Sequence, residues 1–299
     1  MGVFIMNANK VRAGFIETNF KVRKLSTTGK QEMIDKGVWK EGGLVSLERL
    51  SMVEFSYWYL EKHNDGWQFQ GRQRGDGKIV VFDVVGQYVA EIFKELYAIK
   101  FPLHKACPME DYNGNDDASM ADNNSSCFND REITGGGLPS LHAYGLAIDI
   151  NTVQNPYIAF LEDKDIQGSG NTKVLPPSGR DYINRTNLRI GMIENTKEIV
   201  KIFKKHGFPI WGGKWNTPID WQHFQVDRAI AQLLAIMSFD DGSILFEMYV
   251  ADSNLVKSLD IKNNVIVDLY KENPHRFMSI LSEGFLKMGA EEARVFFNE

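Results

Sequence analysis

Cysteine is scarce in this chain. Only Cys107 and Cys127 occur among 299 residues, too few for a disulfide framework or a cysteine-only metal site. They bracket a polar loop, and both readings stay open: a pair in an oxidising compartment, or two ordinary thiols. Long apolar runs are missing too. The best stretches, such as residues 79–82, are strand-sized, far short of the roughly 20 residues of a membrane helix. Nor is there an excess of basic charge: 34 Lys and Arg stand against 39 Asp and Glu, a net charge of −5. That excludes nucleic acid as the main partner, because phosphate binding needs concentrated Lys and Arg. Several motifs are also missing: a His-Glu-x-x-His helix, a Gly-x-Ser-x-Gly elbow and a phosphate loop ending in Gly-Lys-Ser or Gly-Lys-Thr. Asp111-x-Asn113-x-Asn115 starts like a calcium loop, but Asp116 occupies the place of the required glycine. No repeat or low-complexity tract is visible.

What remains is ordinary globular composition, 43% hydrophobic and 24% charged, with length enough for a core that needs no staples. Residues 1–43 are mixed, basic at Lys21, Arg23 and Lys24, and read as an N-terminal extension. Val85, Val89, Ile92, Phe93 and Leu96 fall at helical spacing, and Pro102 ends that helix. A long polar loop is expected from Asp111 to Gly137. A second helix is expected from Asn195, with Glu198 completing a capping box, Ile199, Ile202 and Phe203 buried, and Gly207 as its stop. Between the helices, Leu146, Ile148 and Ile150 alternate with Ala147 and Asp149, the period of a half-buried strand. Phe224 and Val226 alternate likewise with His223 and Gln225. After Asp227 the pattern turns helical: Phe277, Ile280, Leu281, Phe285 and Met288 form a stripe entered through Asn273-Pro274 and closed by Gly289. The reading is α+β over residues 44–227, followed by a helical C-terminal region, 228–299.

Two segments carry chemistry. In Ser140-Leu-His-Ala-Tyr-Gly-Leu-Ala-Ile-Asp149, Asp149 sits alone on an apolar strand, where a carboxylate is costly unless paired or bound to a cation. Gly145 permits the tight turn that brings His142 back over that strand. A hydrogen-bonded His–Asp pair in the core would suffice for this segment alone. In Asp220-Trp-Gln-His-Phe224, His223 opens another strand and Asp220 lies three residues before it, after Pro218. His142, Asp149 and His223 together make a nitrogen and oxygen ligand set suited to one zinc ion per chain, with a fourth position for water. Asp220, acidic and close to a ligand, fits a general base.

Here the sequence resembles a known family. Ser140-x-His142-x-x-Gly145-x-Ala147-x-Asp149, then Trp211-Gly-Gly and Asp220-x-x-His223-Phe224, is similar to the VanY-like zinc D-alanyl-D-alanine carboxypeptidases and L-alanyl-D-glutamate endopeptidases of peptidoglycan. Asp116-Asp-Ala-Ser-Met120, Asn123-Asn-Ser, Phe128-Asn-x-Arg131 and Asn151-x-x-Gln-Asn-Pro-Tyr157 resemble its endolysin-like branch, so the likeness spans roughly residues 44–227. The resemblance implies a small antiparallel sheet with packed helices around a zinc site held by His142, Asp149 and His223. It implies Asp220 as catalytic base and Arg131 as the cation facing the scissile carbonyl or a stem-peptide carboxylate. Ser119, Tyr144 and Trp211 are carried with it as substrate contacts.

The implied reaction is hydrolysis of an amide bond in peptidoglycan stem peptides. Two alternatives stay open: a non-catalytic cell-wall binding module with a structural zinc, and a zinc peptidase acting on a peptide from another source. No export signal is read at the N-terminus, where Asn7, Asn9 and Lys10 interrupt the apolar Met1–Met6. The expected location is the periplasm or cell wall if a leader has been removed, with the cytoplasm left open. Residues 228–299 lie outside the resemblance, and their expected role is packing or wall targeting.

Overall fold

The computed structural model describes residues 18–160, 172–195, 198–252 and 265–282. The first half runs β1 (Phe20–Lys24), α1 (Thr27–Asp35), β2 (Leu50–His63), β3 (Gly66–Phe82), α2 (Gly86–Ala98), β4 (Pro102–Leu103) and α3 (Asp116–Ala121). Then come β5 (Ala147–Asp149), β6 (Tyr157–Phe160), β7 (Thr172–Leu175), α4 (Glu198–Lys205), β8 (Ile210–Trp211), β9 (Ile219–Asp220) and β10 (His223–Gln225). Four helices follow: α5 (Arg228–Ile236), α6 (Phe239–Ala251), α7 (Val265–Glu272) and α8 (Pro274–Ser282). The fold is mixed α+β, as the patterning implied.

Among the described residues the strands form three small sheets rather than one. The largest is built on the β2–β3 hairpin, registered from Leu50 opposite Phe82 to His63 opposite Gly66, with β1 antiparallel and β4 parallel to β2. This hairpin is absent from the sequence reading. Its turn signal, Asp65-Gly66, is present, but residues 70–72 and 74–76 of β3 are exposed or nearly so on both faces, which erases the two-residue alternation. The other sheets are β5–β10–β8 and β7–β6–β9, antiparallel throughout.

One hydrophobic cluster draws on all three sequence intervals: Met33 and Val38, then Phe55, Phe93, Ile148 and Phe224, then Leu233, Phe246 and Phe277. Residues 20–24, expected in an extension, are the edge strand β1, with Phe20 opposite Phe55. Helix α2 buries Val89, Ile92, Phe93 and Leu96 as its periodicity required, and Phe93 stacks on Phe55 with centroids 3.6 Å apart. It ends at Ala98, before Pro102, and Lys100 follows in the left-handed region with φ 58°. Helix α4 buries Ile199, Ile202 and Phe203 and is described from Glu198; residues 196–197 of its expected start lie outside the described residues. Gly207 follows with φ +86°, and a Cβ there would meet the Phe246 ring at 2.5 Å, so α6 packs directly against that turn. Helix α8 enters at Pro274 and buries Phe277 and Leu281; Phe285, Met288 and Gly289 lie outside the described residues.

The stretch expected as a polar loop, 111–137, holds α3 and a buried polar ladder. The Asn124 side chain accepts from the Cys107 N–H at 2.8 Å and donates to the Cys107 carbonyl and to Ser119 Oγ, both at 3.0 Å. Asn123 accepts from the Val153 N–H at 2.8 Å and donates to Gln154 Oε1 at 2.9 Å. The Asn123 and Asn124 side chains thus both donate and accept, as buried amides require. They tie the segment that precedes the site to the one that follows it. Cys107 and Cys127 are free thiols.

Candidate metal centre

Strand alternation delivers two of the site's side chains. Across β5 and β10, Asp149 stands opposite His223 and Ile148 opposite Phe224. Ile148 and Phe224 point into the core, where Phe224 stacks on Phe203 of α4 with centroids 3.8 Å apart. Asp149 and His223 therefore share the opposite face. Contrary to the half-buried reading, every residue of β5 is buried.

His142 arrives from a short 3₁₀ turn, Leu141–Tyr144, capped by Ser140 Oγ, which accepts from the His142 N–H at 3.2 Å. The turn closes at Gly145 with φ +68°. A Cβ there would lie 2.6 Å from the Phe82 nitrogen, which itself donates to the Gly145 carbonyl at 3.0 Å. Conformation and space both demand glycine.

The three side chains converge. His142 Nε2 lies 3.2 Å from His223 Nδ1 and 3.2 Å from Asp149 Oδ2, and His223 Nδ1 lies 3.0 Å from Asp149 Oδ1. All three are buried. The far ring nitrogens are already engaged: His142 Nδ1 donates to the Cys127 carbonyl at 2.6 Å, and His223 Nε2 donates to Gln225 Oε1 at 2.9 Å. A carbonyl oxygen can only accept, so those nitrogens carry the protons and the inward nitrogens present lone pairs. Three electron-rich atoms facing one point need a cation between them. For zinc at 2.0–2.1 Å, tetrahedral ligand atoms stand about 3.3 Å apart, close to the spacing found here. The donor set fits zinc.

Charge and burial couple the three groups. Burial alone would raise the Asp149 pKa, but charge and hydrogen bonding from His142 and His223 hold it well below the usual carboxylate range. Burial works against a His223 cation, yet the bond and charge of Asp149 keep its pKa above the ordinary histidine value.

The site opens into a cleft of about 360 Å³, lined in part by Arg131, Tyr157, Trp215, Asp220, Gln225 and Arg228. Asp220, two residues after Pro218, lies in β9, opposite Tyr157 of β6. The turn comes one residue later, at Trp221 and Gln222, and carries the chain from one sheet to the next. That switch lets two side chains three residues apart reach one cleft. A Cβ on Gly212 would meet the Asp220 carbonyl at 2.5 Å, so the Trp211-Gly-Gly turn packs directly behind it. Asp220 Oδ1 is buried with no hydrogen-bond partner among the described residues. Burial, reinforced by the Asp149 charge, holds the Asp220 pKa above the carboxylate range despite His223, Gln222 and Arg131.

Arg131 lines the cleft with its charge already paired. Nη2 bonds Asp116 Oδ2 at 2.9 Å and Nη1 donates to the Glu132 carbonyl at 3.0 Å, while Nε is buried without a partner among the described residues. The neighbouring Asp130 is held by the segment before β2, accepting from the Lys40 N–H at 3.3 Å. Three expected substrate contacts do not line the cleft. Ser119 is buried beneath Asn124, Tyr144 is buried in the 3₁₀ turn, and the Trp211 indole donates to the Trp221 carbonyl at 2.9 Å beside Phe224. Tyr157, Trp215, Gln225 and Arg228 line the cleft. Gln225 was legible, because alternation from His223 puts it on the same face. Arg228 was not, since it follows the point where the pattern turns helical.

Residues 134–226 match the family model of D-alanyl-D-alanine carboxypeptidases. The match holds His142, Asp149, Asp220 and His223, and it is shorter than the 44–227 span of the expected resemblance. Arg131 lies before it and Arg228 after it. No curated protein and no solved structure matches the chain. The carboxypeptidase match and the buried donor cluster together support a metallopeptidase.

Proposed function

We propose that this protein is a zinc-dependent peptidase that hydrolyses an amide bond in peptidoglycan stem peptides. The observation that carries the reading is the convergence of three lone-pair donors, each fixed by a neighbour, in the wall of a cleft that also holds an unbonded carboxylate oxygen. His142, Asp149 and His223 would hold the metal. A zinc ion bound there supplies Lewis-acid polarisation of a carbonyl and activation of water near neutral pH.

The chain's own groups do the rest. Asp220 Oδ1, with no competing partner, accepts a proton from the attacking water and returns it to the leaving amine. Arg131 faces the oxygen that gains charge, and Asp116 holds its guanidinium in place. Cys127 and Gln225 fix the tautomers of the two histidines.

Digestion of purified peptidoglycan and of D-alanyl-D-alanine peptides, with new termini identified by mass spectrometry, tests the reading. Cleavage is expected to stop on chelation and return with added zinc. Zinc-loaded protein that cuts neither material would leave the binding-module alternative as the better account.

A further inference from the structure

Arg228 is the first residue of α5, outside the segment that matches the carboxypeptidase family. It nevertheless lines the same cleft as His142, Asp220 and His223. Its backbone is well anchored. Asp227 caps the helix by accepting from the Ala229 N–H at 2.9 Å, and Ile230, Leu233 and Leu234 are fully buried one turn on. The guanidinium is aimed by one bond, from Nη1 to the Pro139 carbonyl at 2.9 Å.

The two cleft arginines differ in what neutralises them. Arg131 is paired with Asp116. Among the described residues no carboxylate pairs with Arg228, and its remaining N–H groups make no hydrogen bond there. An anchored guanidinium with donors to spare, in a half-enclosed cleft, selects for an anion, and its planar fork matches a carboxylate in particular.

We propose that Arg228 is a specificity-determining residue that binds a carboxylate of the peptide substrate beside the scissile bond. The inference rests on the cleft being the substrate site described above, and it gives the helical C-terminal region a part in that site. The carboxylate has two sources in a stem peptide: the free C-terminus of D-alanyl-D-alanine, or the α-carboxylate of a γ-linked D-glutamate.

Four peptides distinguish the sources: one ending in D-alanyl-D-alanine and one carrying L-alanyl-γ-D-glutamate, each with that carboxylate free or converted to the carboxamide. Binding to the zinc-loaded protein is measured by calorimetry, and cleavage by KM and kcat. A charge-assisted pair of this kind predicts about 10–100-fold tighter binding of the free acid over the amide in one of the two pairs. Arg228→Gln should bring that ratio to about one, and Arg228→Lys should restore part of it. The ratio is internal to each variant, so any loss of folded protein cancels. An acid-to-amide ratio near one in the wild type, or an unchanged ratio in Arg228→Gln, overturns the proposal. Wild-type protein that binds with discrimination but cuts none of the four would defeat the peptidase reading while leaving the role of Arg228 intact.

Discussion

Asp149 and His223 stand directly opposite one another on antiparallel β5 and β10, with Oδ1 and Nδ1 3.0 Å apart and both side chains buried. Asp220 reaches the same cleft from a different sheet and makes no such contact through Oδ1. Neutralising the two aspartates should therefore have different consequences. Asp149→Asn removes the anionic donor and should lower zinc stoichiometry and cleavage together. Asp220→Asn should keep zinc near one per chain while turnover falls by about 10²–10⁴, the usual contribution of a general base. Zinc analysis and peptide cleavage on the two variants side by side decide it. Loss of zinc from Asp220→Asn would recast that residue as a ligand, and near wild-type turnover would remove it as the base.

Gln225 acts on the metal only through His223. Its Oε1 holds the Nε2 proton at 2.9 Å and so keeps the Nδ1 lone pair turned inward. Gln225→Leu keeps the bulk but frees the tautomer, and should weaken zinc binding by about 10–100-fold. Competition with a chromogenic chelator gives the affinity. An unchanged value would mean that Asp149 alone orients the ring.

The turn that presents His142 depends on Gly145. Its φ of +68° is unfavourable for any other residue, and an added Cβ would press on the Phe82 backbone nitrogen at 2.6 Å. Strain and clash together should cost Gly145→Ala about 2–4 kcal/mol. Urea unfolding should show the loss. A variant within about half a kcal/mol of wild type would mean that the backbone of β3 yields without penalty.

Glu110 gives a pH dependence remote from the site. It is buried, its Oε2 has no partner among the described residues, and burial, helped by the charges of Glu32 and Asp111, lifts its pKa from 4.5 to about 7. The folded state thus holds this proton more tightly than the unfolded chain does. Stability is not penalised below pH 4.5, falls as pH rises between about 4.5 and 7, and stays lowered above that, by up to about 3 kcal/mol. Glu110→Gln removes the ionisation, so it should be more stable than wild type at pH 8 and near equal at pH 4. Unfolding midpoints at the two values check the sign. An equal difference at both would show that Glu110 ionises freely in the fold.

The sequence by itself determined the local parts. Helical periodicity fixed the buried face of α2, Pro274 the entry of α8, and two-residue alternation the shared face of His223 and Gln225. The motif spacing named His142, Asp149, His223 and Asp220, because ligand chemistry restricts residue type at each position and a tight glycine turn leaves a trace. These are properties of a few neighbouring residues, and so they can be read along the chain. What only the tertiary structure decided were the meetings between distant segments. The Cys127 carbonyl orients His142, Asp116 neutralises Arg131, and Ser119, Tyr144 and Trp211 are drawn away from the cleft into packing. Arg228 enters the cleft from beyond the family match because α5 is anchored in the common core; the helical pattern after Asp227 marks the face that anchors it, not the distant segment that Arg228 meets at Pro139.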